Sequence, residues 1–157
     1  MLGLNLKLIN QFKNVPFTEG RGEILKSKYK GNKLELHDHS YNASPVSMRD
    51  TIDIFNKFKN KHLVYVIGDM NELGNKSKKF HIDLIEYLIL IKAKKVIFVG
   101  SKLYSLRKRY KRLQFEYYEN IDSVISNAEK IFNRNSKVFL KGSNSINLRK
   151  LSNHLIS

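Results

Sequence analysis

The stretch that decides the fold covers residues 37–48 and reads His37-Asp38-His39-Ser40-Tyr41-Asn42-Ala43-Ser44-Pro45-Val46-Ser47-Met48. It predicts the end of a strand, a polar loop and then a helix that opens on Pro45, where a missing backbone N–H costs little. The first turn of a helix carries unpaired N–H groups and a partial positive charge, which favour phosphates and carboxylates. The loop is therefore a candidate ligand site.

Strands and helices alternate around this stretch. Residues 23–30 and 33–38 alternate apolar and polar side chains on either side of Gly31-Asn32, which predicts a hairpin with a two-residue turn. Apolar runs predict further strands over residues 62–67, 95–99, 115–118 and 137–140. Helical periodicity predicts helices over residues 2–12, 47–58, 76–92, 101–112, 121–132 and 146–156.

This order of elements favours an α/β fold. Strands separated by helices pair in parallel through crossover connections, so we expect a mostly parallel, doubly wound sheet with helices on both faces and the hairpin at its N-terminal edge. Ligands of such sheets bind beyond the carboxyl ends of the strands. Those ends are residues 38–44, 68–74, 100–101 and 141–145, and we expect the four loops to meet at one rim.

Composition narrows the class of protein. The 157 residues, 41% of them hydrophobic, suit one soluble domain, and the absence of cysteine excludes disulfides and thiolate metal sites. No leader sequence is recognised, and the longest apolar run, residues 87–91, is too short to cross a bilayer. We therefore expect no membrane insertion and a cytoplasmic location.

The chain is strongly basic. Its formal net charge of +15 would suit polyanions, but the lysines are dispersed, which indicates a general bias in residue usage. The sharpest basic segment, residues 101–112, is predicted to be an amphipathic helix and lacks the interleaved aromatic residues of a single-strand binder. We do not expect nucleic-acid binding.

Two further loops carry candidate site residues. In residues 68–74, Asp69 and Glu72 could orient a hydroxyl or an ammonium, although a turn with solvated acids is the alternative. In residues 141–145, Lys141 and Ser143 could hold an anion, and a helix cap by a serine is the alternative. For His81, a structural role as a core or surface imidazole is favoured over a catalytic role.

Several of these motifs together resemble a known family. Gly20-Arg21, residues 40–48, Gly-Asp-Met-Asn-Glu-Leu-Gly at 68–74, His81 and Lys141-Gly142-Ser143 occur in the order found in the C-terminal domain of the Mur ligase family. The branch that they resemble adds D-alanyl-D-alanine to a UDP-muramoyl tripeptide in peptidoglycan synthesis. The resemblance implies a Rossmann-like domain that closes over ATP and the incoming dipeptide.

The resemblance also implies roles for individual residues. Arg21 would contact ATP phosphates, and Asp38 or His39 would contact the ribose. Asn42, Ala43 and Ser44 would contact the dipeptide. Further substrate contacts would come from Asp69, Glu72, Lys141 and Ser143. No catalytic residue and no metal ligand is assigned. The sequence departs from the family pattern at three positions, where His39 replaces aspartate, Ser44 replaces asparagine and Asn144 replaces arginine.

The family pattern also predicts how the chain is organised. Residues 1–15 resemble the last helix of the family's central ATPase domain, and residues 16–157 resemble its C-terminal domain. No Gly-x-x-x-x-Gly-Lys-Ser/Thr loop is present, so ATP and magnesium would be used only together with a partner chain that carries the UDP-binding and P-loop domains. Two alternatives stay open. In the first alternative, the chain would be an inactive remnant of the ligase. In the second, it would be a basic RNA- or nucleotide-binding module that depends on Arg107, Lys108 and Arg109.

Overall fold

A computed structural model describes residues 19–58, 62–111 and 115–157. The predicted helix over residues 2–12 and the proposed domain boundary at residue 15 lie outside these ranges. The described residues form one six-stranded sheet with these strands: β1 (Glu23–Tyr29), β2 (Asn32–His39), β3 (Leu63–Gly68), β4 (Lys95–Val99), β5 (Glu116–Tyr118) and β6 (Ser136–Lys141). All six predicted strands are present.

The order of strands across the sheet is β1-β2-β6-β3-β4-β5. Among the six described strands, only the β1–β2 hairpin pairs antiparallel, and every other neighbouring pair is parallel. The predicted mostly parallel sheet with an antiparallel edge is therefore confirmed. Because all parallel strands run in one direction, the loops that follow β2, β3, β4 and β6 leave from the same edge, which we call the rim.

The described residues also form six α-helices, which cover the sheet: α1 (Pro45–Asn56), α2 (Ser77–Leu90), α3 (Ser101–Ser105), α4 (Ile121–Ser126), α5 (Ala128–Ile131) and α6 (Arg149–Ile156). On one face, residues of α1, α2 and α3 pack against Tyr65, Phe98 and Phe139 of the sheet. On the other face, residues of α4, α5 and α6 pack against Leu36, Val66 and other aliphatic strand residues. The sheet is thus buried on both sides. No helix among the described ranges has the length and apolar character needed to traverse a bilayer.

The hairpin turn differs by one residue from the prediction. Tyr29 pairs with Asn32, so the turn residues are Lys30 and Gly31, with φ angles of 46° and 85°. Two consecutive positive φ angles are typical of the type I′ turn, whose twist matches that of the flanking strands. The predicted Gly31-Asn32 turn was therefore wrong by one position.

Three predicted helices are shorter than their periodicity suggested. Helix α3 ends at Ser105, and residues 106–111 form turns, because Ser105 Oγ and Arg107 Nη1 donate to the Lys102 and Tyr104 carbonyls. The predicted helix 121–132 is divided at Asn127, whose side chain donates to the Ser123 carbonyl. The predicted helix 146–156 begins only at Arg149, after a short 3₁₀ turn and a left-handed Asn147.

Candidate functional site

The rim begins at the end of β2, where neighbouring residues serve opposite faces of the sheet. Asp38 points toward α6, and His39 points toward the face that α1 covers, because side chains alternate along a strand. The pair that the sequence treated together as nucleotide ligands is therefore separated by the sheet itself.

Asp38 is fully buried and its carboxylate is fully engaged. Oδ1 accepts from the Ser40 backbone N–H at 2.9 Å, and Oδ2 accepts from Ser152 Oγ at 2.6 Å and from Arg149 Nη1 at 3.1 Å. The Arg149 guanidinium also donates to Glu23 of β1 at 2.5 Å. This arrangement attaches α6 to the hairpin, and Asp38 is not accessible to a ribose here. Sequence reasoning did not identify Arg149 or Ser152, whose partners lie more than 100 residues away.

His39 is half-buried on the opposite face. Its ring lies 5.4 Å from the Phe139 ring, and a Cβ on Gly22 would come within 3.2 Å of its Cε1 atom. Burial, and then the nearby Lys141 ammonium, lower the pKa of His39. No group in the described ranges hydrogen-bonds its ring nitrogens, so a neutral imidazole is available to a ligand.

Lys141 is the last residue of β6 and lies next to His39 of β2, because the two residues are register partners in the parallel β2–β6 pair. Its side chain is buried, and Nζ donates to the Asn42 backbone carbonyl at 2.9 Å. Burial lowers the pKa of Lys141. The lysine therefore joins the end of β6 to the loop that precedes α1.

Arg21 reaches the same loop from the start of the hairpin. Its guanidinium lies over the exposed Tyr41 ring, 3.9 Å from the centroid, which leaves its donors open to solvent. The chain approaches closely here: Gly20 has a φ of 73°, and a Cβ at this position would lie 2.9 Å from Ser40 Oγ and from the Tyr41 backbone nitrogen. Glycine is required for Arg21 to meet Tyr41 in this way.

The three predicted dipeptide contacts have different surroundings. Asn42 is exposed, and its Oδ1 accepts from the Ala43 N–H at 2.7 Å. Ala43 is buried in the core beneath α1. Ser44 caps α1, because its Oγ accepts from the Ser47 N–H while Ser47 Oγ accepts from the Ser44 N–H. The Ser-Pro-Val-Ser spacing was the signal for this cap. Of the three side chains, only that of Asn42 combines exposure with no structural function beyond its own turn.

Asp69, at the end of β3, caps a helix that follows a different strand. Its Oδ2 and Oδ1 accept from the backbone N–H groups of Lys102 and Leu103, each at 2.9 Å, in the first turn of α3. Gly100 permits this contact, because a Cβ there would lie 2.4 Å from Asp69 Cγ. The buried Asp69 carboxylate therefore has a structural role, since both of its oxygens accept backbone hydrogen bonds.

His81 of α2 supports the same loop from below. It is fully buried, its Nε2 accepts from the Met70 N–H at 3.0 Å, and its Nδ1 lies 2.7 Å from the Ser77 carbonyl. These contacts define a neutral imidazole with the proton on Nδ1, and burial lowers the pKa of His81. The interpretation of His81 as a core imidazole is confirmed by its burial.

The loops after β3, β4 and β6 are also linked to each other. Lys102 Nζ donates to the Met70 carbonyl at 3.1 Å and to Asn71 Oδ1 at 2.5 Å, and the Asn71 N–H donates to Ser143 Oγ at 2.8 Å. Ser143 is buried, whereas Glu72 is exposed in a left-handed conformation with a φ of 61°. Lys102 and Asn71 were not among the predicted site residues.

The rim therefore has two parts. We call Arg21, His39, Tyr41 and Asn42, with Lys141 beneath them, the open half, because most of these side chains are accessible or lack a protein partner. We call Asp69, Asn71, His81, Lys102 and Ser143 the bonded half, because their polar groups bind one another or the backbone. In residues 19–58, 62–111 and 115–157, no group of three or more acidic, histidine or cysteine side chains could hold a metal ion.

Comparison with known proteins identifies the family to which this chain belongs. Residues 20–144 match the family model described as Mur ligase, glutamate ligase domain. The chain belongs to the Mur ligase family. The match includes Arg21, the loop between β2 and α1, the whole of the bonded half and Lys141.

The chain is also similar to a curated protein and to solved structures. Over 155 residues, or 96% of the chain, the sequence is 26% identical to the UDP-N-acetylmuramoyl-tripeptide–D-alanyl-D-alanine ligase of Rickettsia prowazekii. The fold is similar to that of MurF from Acinetobacter baumannii, with a TM-score of 0.77 and 22% identity over 98% of the chain. It is also similar to MurF from Thermotoga maritima solved in complex with ADP, with a TM-score of 0.70 and 18% identity over 96% of the chain.

The matched part is homologous to the C-terminal domain of these Mur ligases. The chain spans 33% of the Rickettsia prowazekii ligase, 34% of the Acinetobacter baumannii structure and 35% of the Thermotoga maritima structure. It therefore covers about a third of the length of each of these relatives.

Proposed function

We propose that this chain acts as the C-terminal domain of an ATP-dependent ligase that joins D-alanyl-D-alanine to a UDP-muramoyl tripeptide. It would not be active alone and would work with a partner chain that carries the UDP-binding and P-loop domains, in the cytoplasm, where ATP is available. The family match and the name of the Rickettsia prowazekii relative support this proposal. The observation that carries it is the open half, where Arg21 of the Gly20-Arg21 motif lies against Tyr41 in the loop that follows His39 and contains Asn42.

The open half has side chains that could contact a nucleotide, but it has no set of side chains that would hold magnesium. The Arg21 guanidinium is exposed on Tyr41, so its donors could contact phosphate oxygens, and His39 could bind a ribose hydroxyl. The described residues offer no cluster for a divalent ion, so magnesium would be held by the nucleotide and by the partner chain. When bound, ATP supplies the phosphoryl group that activates the tripeptide carboxylate.

The residues of this chain would act through position and charge. Arg21 would orient the phosphates, and Asn42 would orient the dipeptide so that its amine meets the activated carboxylate. Asp38, Ala43, Ser44, Asp69 and Ser143 would serve indirectly, since each one is buried or engaged in the loops that hold these groups. Glu72 is exposed and could still contact substrate.

The experiment combines this chain with a separately produced fragment that contains the P-loop and UDP-binding domains from the same source. ATP, magnesium, the UDP-muramoyl tripeptide and D-alanyl-D-alanine are added, and the product is measured by mass spectrometry. We expect product only when both fragments are present. Absence of product from two folded fragments would support the inactive remnant, which the exchanges at His39 and Ser44 favour.

A matched pair of variants tests the site itself. Arg21→Ala and Arg107→Ala each remove an arginine that lies 3.9 Å from a tyrosine ring centroid, but only Arg21 belongs to the open half. We expect Arg21→Ala to lower product formation at least about tenfold, since charge-assisted contacts to phosphate are strong, and Arg107→Ala to leave it unchanged. The reverse result, with salt-sensitive RNA binding lost in Arg107→Ala, would favour the basic binding module.

A further inference from the structure

Lys141 is a buried cation without an anionic partner in the protein. Its side chain is only 5% exposed, and Nζ has one described hydrogen bond, to the Asn42 carbonyl. All 14 acidic residues of the chain lie between residues 19 and 129, within the ranges that the structure describes, and none forms an ion pair with Lys141 within 4.0 Å. Residues 1–18, 59–61 and 112–114 contain no aspartate or glutamate. Their side chains cannot supply the missing charge.

The groups around Lys141 do not compensate its positive charge. The register partner of Lys141 across the β2–β6 ladder is His39, which is also a potential cation and whose pKa is lowered by burial and then by Lys141. Asp38, the next carboxylate along β2, is on the other face and is neutralised by Arg149. Buried charges in proteins are normally paired, because an isolated one loses its hydration without compensation. The site is therefore electrostatically incomplete.

We infer that Lys141 is the binding partner for an oxyanion of the ligand, and specifically for the terminal carboxylate of the incoming dipeptide. The inference rests on the proposed function and adds a named contact to it. After the bond to Asn42, the ammonium has two donors left, which match the two oxygens of a carboxylate. The exposed Arg21 is better placed for the larger phosphates of a nucleotide, and Lys141 lies below the Asn42 loop that would hold the dipeptide.

The alternative is that Lys141 only fastens the Asn42 loop to β6. The two roles predict opposite effects on the free chain. If Lys141 only fastens the loop, Lys141→Met removes a stabilising hydrogen bond and lowers the melting temperature. If Lys141 awaits a ligand anion, the same change removes an uncompensated buried charge, so the melting temperature stays the same or rises while ligand binding is lost. The control is Lys95→Met, since Lys95 is also a strand lysine whose Nζ donates to a backbone carbonyl, that of Ile131 at 2.5 Å.

The direct test is a titration of the chain labelled with ¹³C at the lysine ε carbons, followed by NMR. The probes are D-alanyl-D-alanine, D-alanyl-D-alanine amide, inorganic phosphate and ATP. We expect the dipeptide to shift the Lys141 signal and to bind at least about 30-fold more weakly to Lys141→Met. The amide, which lacks the carboxylate, should bind wild type as weakly as the dipeptide binds the variant. Lys95→Met should bind like wild type.

Other outcomes overturn the inference in separate ways. If phosphate or ATP shifts the Lys141 signal and the dipeptide does not, the oxyanion belongs to the nucleotide. If the dipeptide and its amide bind equally, or no probe affects Lys141, the lysine has no ligand. Failure of the proposed function is distinguishable, because it removes product from the two-fragment assay while the Lys141 signal still responds to the dipeptide. Product formation with an unchanged dipeptide KM in Lys141→Met would contradict the inference alone.

Discussion

The two halves of the rim contain similar residue types but use them differently. In the bonded half, the buried Asp69 carboxylate, His81 imidazole and Ser143 hydroxyl all have protein partners. In the open half, His39 has no described hydrogen-bond partner, and Lys141 has no described ion-pair partner. Polar residues at the carboxyl ends of parallel strands are thus of two kinds. One kind builds the rim, and the other is available to a ligand.

The sharpest test of this difference is to substitute each of two acidic residues in one loop and to compare the stability of the variants. Asp69→Ala removes the acceptor for two backbone N–H groups at a buried helix start, and we expect it to lower the free energy of unfolding by about 3–5 kcal/mol. Glu72→Ala removes an exposed carboxylate three residues away and should change stability by less than about 0.5 kcal/mol. Urea denaturation of both variants measures the difference.

Similar losses for the two variants would contradict the assignment of Asp69 to the bonded half. If Asp69→Ala were as stable as wild type, its carboxylate would be free for substrate, as the sequence first suggested. Asp69→Asn provides a graded control, because an amide keeps one acceptor oxygen but loses the charge.

The second comparison is between His81 and His39, and it concerns the dependence of stability on pH. Burial lowers the pKa of His81, against smaller raising effects from the Ser77 carbonyl and from Asp69, and Lys102 lowers it further. Because the folded pKa lies below the unfolded value of about 6.5, the unfolded state binds the extra proton. Stability is therefore fully present above about pH 6.5 and falls as the pH decreases below it, by up to about 1.4 kcal/mol per pH unit for this one group.

His39 shifts in the same direction but is only half-buried, so its contribution should be the smaller of the two. Urea unfolding of wild type, His81→Gln and His39→Gln between pH 5 and pH 8 measures both contributions. We expect His81→Gln to flatten the acidic side of the profile more than His39→Gln does. Equal profiles for wild type and His81→Gln would show that the buried imidazole is not the titrating group.

The fold was predictable from the sequence because its signals are local. Alternation of apolar and polar residues identified the two hairpin strands, continuous apolar runs identified the other four, and glycine or proline marked most of the connections. The errors in helix length came from competing local bonds: Ser105 and Asn127 each donate a side-chain hydrogen to a helix carbonyl, which periodicity does not reveal.

The site was less predictable because its contacts are long-range. Asp69 meets the N–H of Lys102, 33 residues away, and Asp38 meets Arg149 and Ser152, more than 100 residues away. The resemblance to the Mur ligases brought Asp38, Ala43 and Ser44 into the candidate site, but only tertiary packing decides that these three are buried or serve as a cap. Strand alternation was the one available signal that Asp38 and His39 point apart.

In the open half itself we expect only a small effect on stability. Tyr41→Ala removes an exposed ring and its contact with Arg21, and we expect it to change the free energy of unfolding by about 0.5–1 kcal/mol, the usual range for an exposed cation–π pair. Tyr104→Ala, which removes the equivalent contact with Arg107 outside the open half, is the matched control. Measured by urea unfolding, the two variants should be similar. In the two-fragment ligation assay they should differ, because only Tyr41 holds an arginine that we expect to contact phosphate. Equal activity would mean that the Arg21–Tyr41 pair contributes to the fold alone, and the open half would then be reduced to His39, Asn42 and Lys141.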